Sequence, residues 1–584
     1  MTSSEEEYYN LGTYTRRIKT TSPATETWFN RGLIWTYAFN HEEAAKCFQE
    51  AISHDPNCAL AHWGLAYTLG PNYNKPWQFF DEDELAETIR RTHDAAREAG
   101  RLVSNVDANS AEGHGDVDGE VEKALIDAVQ FRYPESQPPS PGKKEGEAKA
   151  EGEAERCSPW NKGYADAMQK AYTRFPSDLD VAALYADSLM NLTPWALWDL
   201  RTGQPAPGAH TLEIKTVLER ALDLPGGLQH PGLLHLYIHL MEMSGTPEKA
   251  LIIADHLRGL VPDAGHLNHM PTHLDILCGD YRRAVSSNSE AIRSDGRFVA
   301  RAGPVNFYTL YRAHNYHFRV YAAMFAGQSR VALDTAAELE KQIPEELLRV
   351  TSPPMADWLE GFLAMRVHVL VRFGMWEELI NLEVPKDENI YVVTTAMIHY
   401  GKGVALAAIG RITEAEQEQT LFETSYKKVP STRMLFNNTC TDILAIASAM
   451  LAGELSYRRG QSEEAFTHLR HSITLDDTLP YDEPWGWMQP TRHAYGALLL
   501  EQGRVEEAAA VYKADLGLDG TLPRALQHPG NVWALHGLHE CLVRLGREGE
   551  AGIVGGFLRF AVAGADVEVN SSCFCRRGCS SDSI

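Results

Sequence analysis

Aromatic and small residues recur along the chain with a helical rhythm. The first series runs Trp28, Gly32, Trp35, Ala44 and Pro56, and a second opens at once with Trp63, Gly64 and Tyr67 in AHWGLAYTLG. Further on, a glycine is followed five positions later by an alanine. The pairs are Gly245–Ala250, Gly279–Ala284, Gly327–Ala332, Gly410–Ala415, Gly460–Ala465, Gly503–Ala508 and Gly546–Ala551. Pro262 and Pro344 close two of these copies, and in the first series Phe39 stands in the glycine position. Glycine permits the left-handed turn that ends a helix. Alanine lets the next helix approach closely, and proline cannot continue a helix interior. The pattern predicts pairs of antiparallel helices in units of about 34 residues.

In these copies the chain resembles the tetratricopeptide repeat (TPR) family. Trp28, Gly32, Trp35, Ala44 and Pro56 sit at that family's aromatic, Gly, aromatic, Ala and Pro positions. The resemblance implies an all-α, TPR-like helical solenoid of antiparallel helix pairs, expected here to curl around a central cavity. It says little of function, because such arrays are binding platforms of many kinds. The stretches AFNHEEA, WGLAYTLGPNYN, NLTPWALWDL, HPGLLHLYIHLME, GHLNHMPTHL, AHNYHF and EPWGW also resemble long microbial TPR-domain proteins to which no activity is assigned.

The expected organisation is a lead-in over 1–24, N-terminal repeats over 25–100, and an insertion over 101–160. Central His-rich repeats over 161–345, C-terminal repeats over 346–565 and a Cys-containing tail over 566–584 follow. Within the insertion, 134–157 is rich in Pro, Gly, Glu and Lys and reads as disordered. The tail, ending SSCFCRRGCSSDSI, reads as mobile, with Cys573, Cys575 and Cys579 as a weak metal or lipid signal.

The 584 residues carry a net charge of −25, which argues against nucleic acid or an anionic membrane surface as partner. No apolar run is long enough to span a membrane. The acidic start MTSSEEEYYN is not a secretory signal. With nine scattered cysteines, reduced thiols in the cytoplasm are expected. Gly-rich phosphate loops, G-x-S-x-G, H-E-x-x-H and C-x-x-C are all missing, so no nucleotide cofactor is expected.

The histidines carry the candidate chemistry. When the units are aligned on their alanines, His235, His269 and His317 share one position. His239, His273 and Tyr321 share the position one turn later, and His266 and His314 the position three residues earlier. Glu242 continues the stripe of His235 and His239. The resemblance implies that these positions line the concave groove. Imidazole is the commonest metal ligand among side chains.

The expected ligands are therefore His235, His239, His269 and His273, holding iron, copper or zinc. Glu242, His266, His314 and His317 are expected in catalytic or supporting roles. Two other readings stay open: a metal-free polar ligand pocket, and packing alone. At the level of function, the first expectation is a metal-dependent enzyme acting on a small molecule, such as an oxidoreductase of secondary metabolism. The alternative is a non-catalytic scaffold that binds a peptide or protein in its groove. Trp-rich loops carrying Asn72, Trp195, Trp198, Glu483, Trp485, Trp487, His528 and Trp533 read mainly as packed turns.

Overall fold

The computed structural model describes residues 8–109, 117–139 and 156–576. Most of the segment expected to be disordered, 140–155, lies outside the described residues, as does Cys579. The chain divides into two compact units: Met1–Ser244 with Lys249–Pro271, and Gly245–Glu248 with Thr272–Ile584. Both are built from helix pairs packed on their neighbours in sequence, the arrangement of an all-α helical repeat. The strands among the described residues form two small hairpins. Trp198–Asp199 pairs with Gln204–Pro205, and Met434–Leu435 with Asn438–Thr439.

The first unit begins with the helices Pro23–Tyr37, His41–His54 and Ala59–Leu69. Phe48 is the wedge between them. A Cβ added at Gly32 would meet its ring at 2.9 Å, and one added at Gly64 at 2.3 Å. Both glycines are therefore required by close packing.

The repeated Gly–Ala pattern has one structural meaning. At Gly279, Gly327, Gly410, Gly460, Gly503 and Gly546 the backbone is left-handed, with φ between 67° and 87°. Each donates its N–H into the last turn of the helix before it, and the N–H of the following residue reaches the carbonyl one residue further back. Gly327 to Met324 and Gln328 to Ala323 are one such pair. This double bond satisfies carbonyls that a helix end would otherwise leave unpaired. Gly374, which the pattern misses because Leu379 replaces the alanine, makes the same turn at φ 63°. Gly245 does not have a left-handed backbone.

Two departures concern the C-terminus. Residues 566–576, expected to be mobile, pack on the second unit. Asp566 accepts the N–H groups of Ser329 and Arg330 at 2.6 and 3.0 Å. Ser572 meets the Tyr512 hydroxyl at 2.5 Å, and Arg576 pairs with Glu540. These polar partners come from distant sequence, so local composition does not reveal them. Cys573 and Cys575 are joined by a disulfide, whereas the other described cysteines are free, as expected for them.

Gly64→Ala is expected to lower stability by about 1–3 kcal/mol through overpacking against Phe48, despite alanine's better helix propensity. Denaturant unfolding would show it. Phe48→Leu in the same chain should recover part of the loss, and strict additivity of the two changes would refute the contact.

Candidate metal centre

The helix Pro231–Glu242 is buried along its whole length. Its start is anchored by His230, which caps it by accepting the Leu233 N–H at 3.1 Å. The other ring nitrogen of His230 donates to Asp180 at 3.1 Å. Asp180 also receives the Tyr37 hydroxyl at 2.5 Å and the Arg16 guanidinium at 2.7 Å. Burial alone would raise the Asp180 carboxyl, but Arg16, His230 and Tyr37 hold it well below the ordinary carboxylate range. This network sets the helix against the end of Pro23–Tyr37.

That placement brings a backbone carbonyl to the first histidine. His235 Nδ1–H donates to the Tyr37 carbonyl at 2.6 Å. The tautomer is thereby set, and Nε2 is left as the lone-pair nitrogen. His235 is 1 % exposed, and its Nε2 has no hydrogen-bond partner. One turn on, His239 Nδ1 meets Glu242 Oε1 at 2.9 Å, both side chains fully buried. His266, from the short helix Gly265–His269, completes the group. His235, His239 and His266 each offer a ring nitrogen, and these lie within 4.8 Å of one another. An imidazole whose far nitrogen is held by a carbonyl or carboxylate is the usual form of a metal-bound histidine.

Aromatic rings enclose the three imidazoles. Phe39 lies 4.5 Å from His235 between ring centroids and stacks on His239 and His266 at 5.9 and 5.7 Å. Tyr73 and Trp195 cover His239 at 5.0 and 5.7 Å. Tyr73 is fully buried, with its ring 5.2 Å from that of Trp195. A narrow cavity bounded by His41, Asn72, Tyr67 and Asp187 reaches His235. Burial lowers the His239 pKa to about 3, and burial pushes the Glu242 carboxyl well above its ordinary value. Both shifts arise from apolar surroundings that disfavour charge.

Phe39 shows that this enclosure costs the chain something. It occupies the helix-ending position that glycine holds in the later copies, with φ 55°. The same double bond is present, from Phe39 N–H to Thr36 and from Asn40 N–H to Trp35. A residue with a bulky side chain pays about 1–2 kcal/mol for that conformation. Among the described residues the other non-glycine positions with positive φ are Trp195 at 57° and Phe436 at 48°. Each of the three places its ring on a histidine, Phe436 at 4.7 Å from His314 in the second unit. Backbone strain kept at such positions points to function.

Of the expected ligands, His235, His239 and His269 belong to the first unit. His235 and His239 stand together with His266, which was expected in a supporting role. His269 lies beside His266, with ring centroids 5.8 Å apart. His273, His314 and His317 belong to the second unit. There His273 pairs with Glu483 and lies 5.6 Å from the His314 ring. His317 Nε2 faces the Met488 sulfur at 2.7 Å. Sequence reasoning missed Tyr73 and the Tyr37 carbonyl. It registered Phe39 only as a missing glycine, although a bulky residue at a left-handed position was the available signal.

The family model for the tetratricopeptide repeat matches residues 25–58. Residues 25–58 therefore carry a tetratricopeptide repeat, and the rest of the described chain is all-α with helices packed in pairs. No curated protein matches it by sequence. Among solved structures, yeast Tom70 is similar at 11 % identity and TM-score 0.29, covering 92 % of this chain and 99 % of that one. The human IFIT1 dimer with m7Gppp-AAAA is similar at 11 % identity and TM-score 0.30, covering 94 % and 91 %. TM-scores this low carry no inference from those proteins to this one.

The buried histidines make stability depend on pH with a definite sign. Burial lowers His41, His317 and His368 to about 3 and His493 to about 4, against about 6.5 in an unfolded chain. Below pH 6.5 the unfolded chain takes up protons that the folded one refuses. Stability is therefore complete above about 6.5 and is lost as pH falls toward 4, by about 1.4 kcal/mol per pH unit for each such group. Denaturant midpoints between pH 7 and 4.5 should fall steeply. His368→Gln should reduce the slope, and a flat profile would refute the neutral burial of these rings.

Proposed function

We propose that the first unit holds a transition metal ion on His235, His239 and His266, and that the protein is a metal-dependent enzyme acting on a small molecule. The observation that carries this reading is the His235 side chain. One nitrogen is committed to the Tyr37 carbonyl, and the other is buried with no hydrogen-bond partner beside two further imidazoles. An unpartnered buried nitrogen is costly, and a cation bound at His235 removes that cost. Zinc, copper and iron all accept imidazole. Three protein ligands leave a coordination position for water or substrate.

Glu242 orients His239 through the 2.9 Å contact. The Tyr73 hydroxyl, on a ring packed against His239, is a polar group that a substrate could meet there. His269 supports His266 in this reading. The expected fourth ligand from His269 or His273 is not needed for an open centre. An oxidation fits a copper or iron ion, and a hydrolysis fits zinc. A peptide-binding scaffold fits these residues less well, because they are enclosed by aromatic rings instead of lining an open groove.

Elemental mass spectrometry on untagged protein should find about one equivalent of iron, copper or zinc per chain. It should be lost in His235→Ala and in His266→Ala while helical content is kept. Chelation should lower the unfolding temperature of wild type, since an ion that binds only the folded state stabilises it, and should leave the variants unmoved. Absence of metal after reconstitution with each ion would refute the proposal. A second expectation concerns Phe39→Gly, which keeps the left-handed turn and removes only the ring. Metal affinity should fall about 10- to 100-fold, the range for loss of a supporting contact, with little change in the unfolding midpoint of the metal-free protein.

A further inference from the structure

We propose that a cavity of the second unit, closed on one side by residues 571–576, binds a small monocarboxylate. The cavity is independent of the metal centre. Its lining mixes apolar side chains such as Val371 and Val404 with the polar Arg372, Trp487, Tyr400 and Gln489.

Arg372 is the reason to expect an anion. It is 3 % exposed, and no Asp or Glu among the described residues pairs with it. One guanidinium N–H donates to His493 Nδ1 at 2.9 Å, and another reaches the Ser572 carbonyl. The group lies 4.2 Å over the Trp533 ring. Its Nε–H has no partner. Trp487 is 2 % exposed, and its indole N–H likewise has none. Two residues of this lining each keep a buried N–H without a partner, one of them on a charged group, and such donors call for an acceptor carrying negative charge.

The surroundings limit that charge to one. Behind Arg372, His493 donates its other ring nitrogen to Asp515 at 3.0 Å. Burial would raise the Asp515 carboxyl, but His493 and His528 hold it well below its usual range. Glu454 also lines the cavity, engaged by Arg458 at 2.8 Å. With those carboxylates close by, a dianion would be repelled, whereas a carboxylate matches the planar fork of a guanidinium. The cavity is narrow, with room for the equivalent of a few waters, so the ligand is a carboxylate with a short apolar chain.

The lid is part of the site. Ser572 takes an Arg372 N–H and is itself held by Tyr512 and by the His493 carbonyl at 2.8 Å. Arg458 holds the Cys575 carbonyl. Phe574 packs on Trp533, with centroids 6.0 Å apart. Both disulfide-bonded cysteines border the cavity.

The test is titration calorimetry of the full chain with sodium propionate, at constant ionic strength and after chelator treatment, with inorganic phosphate as the comparison anion. Saturable propionate binding is expected, with phosphate at least tenfold weaker. Trp487→Phe keeps the ring and removes the donor, and Arg372→Gln removes the charge. Each should weaken propionate about tenfold or more, the scale of a lost charge-assisted hydrogen bond. If Arg372→Gln does not fold, Trp487→Phe decides alone. No saturable binding to wild type, equal binding of phosphate, or binding indifferent to Trp487→Phe would each overturn the proposal.

Discussion

Neutral imidazole in an apolar enclosure is the constraint on which the first unit depends. A buried ring nitrogen must have a partner or it destabilises the fold by about 1–3 kcal/mol. The chain answers this for His230 and for one nitrogen each of His235 and His239, using Asp180, the Tyr37 carbonyl and Glu242. Those partners lie 50 and 198 residues away from the first two histidines in sequence and three residues away from the third. The nitrogens that remain converge, and their convergence is what makes the site.

The repeat fold and the site meet at Phe39. The helix-ending turn that generates each repeat needs a left-handed residue, and glycine fills it without strain elsewhere in the chain. At the first turn the chain accepts a phenylalanine, and its ring lies on all three imidazoles. Trp195 and Phe436 repeat the solution in a loop and in a hairpin tip. In each case backbone strain is exchanged for an aromatic ring over a histidine, a use of local instability that packing alone does not require.

The second unit applies the same rule to charge. Arg372, His493 and Asp515 form a buried line in which a cation and an anion are separated by one neutral imidazole. Burial pulls Arg372 down to about 9 and His493 to about 4. Such a line is stable only while its ends are supplied with partners, and the segment 571–576 supplies one through the Ser572 carbonyl. This explains why residues 571–576, whose composition reads as a mobile tail, are packed against Arg372 and Tyr512.

The helix pairs, the glycine turns and the histidine stripe of Pro231–Glu242 were legible because they depend on contacts within one or two turns. Gly327 followed by Ala332 means the same thing wherever it occurs, since the physics of ending a helix is local. That His266 joins His235 and His239 was not legible. Equivalent positions in successive repeats look alike in sequence, and only the packing of the short helix Gly265–His269 decides which ring arrives. Tyr73, the Tyr37 carbonyl and the tail's partners were hidden for the same reason. By itself the sequence determined the repeat and the supply of imidazoles, because both follow from spacing along a helix. Tertiary structure alone decided which nitrogens converge and which donors stay unpaired, because burial is a property of residues far apart in the chain.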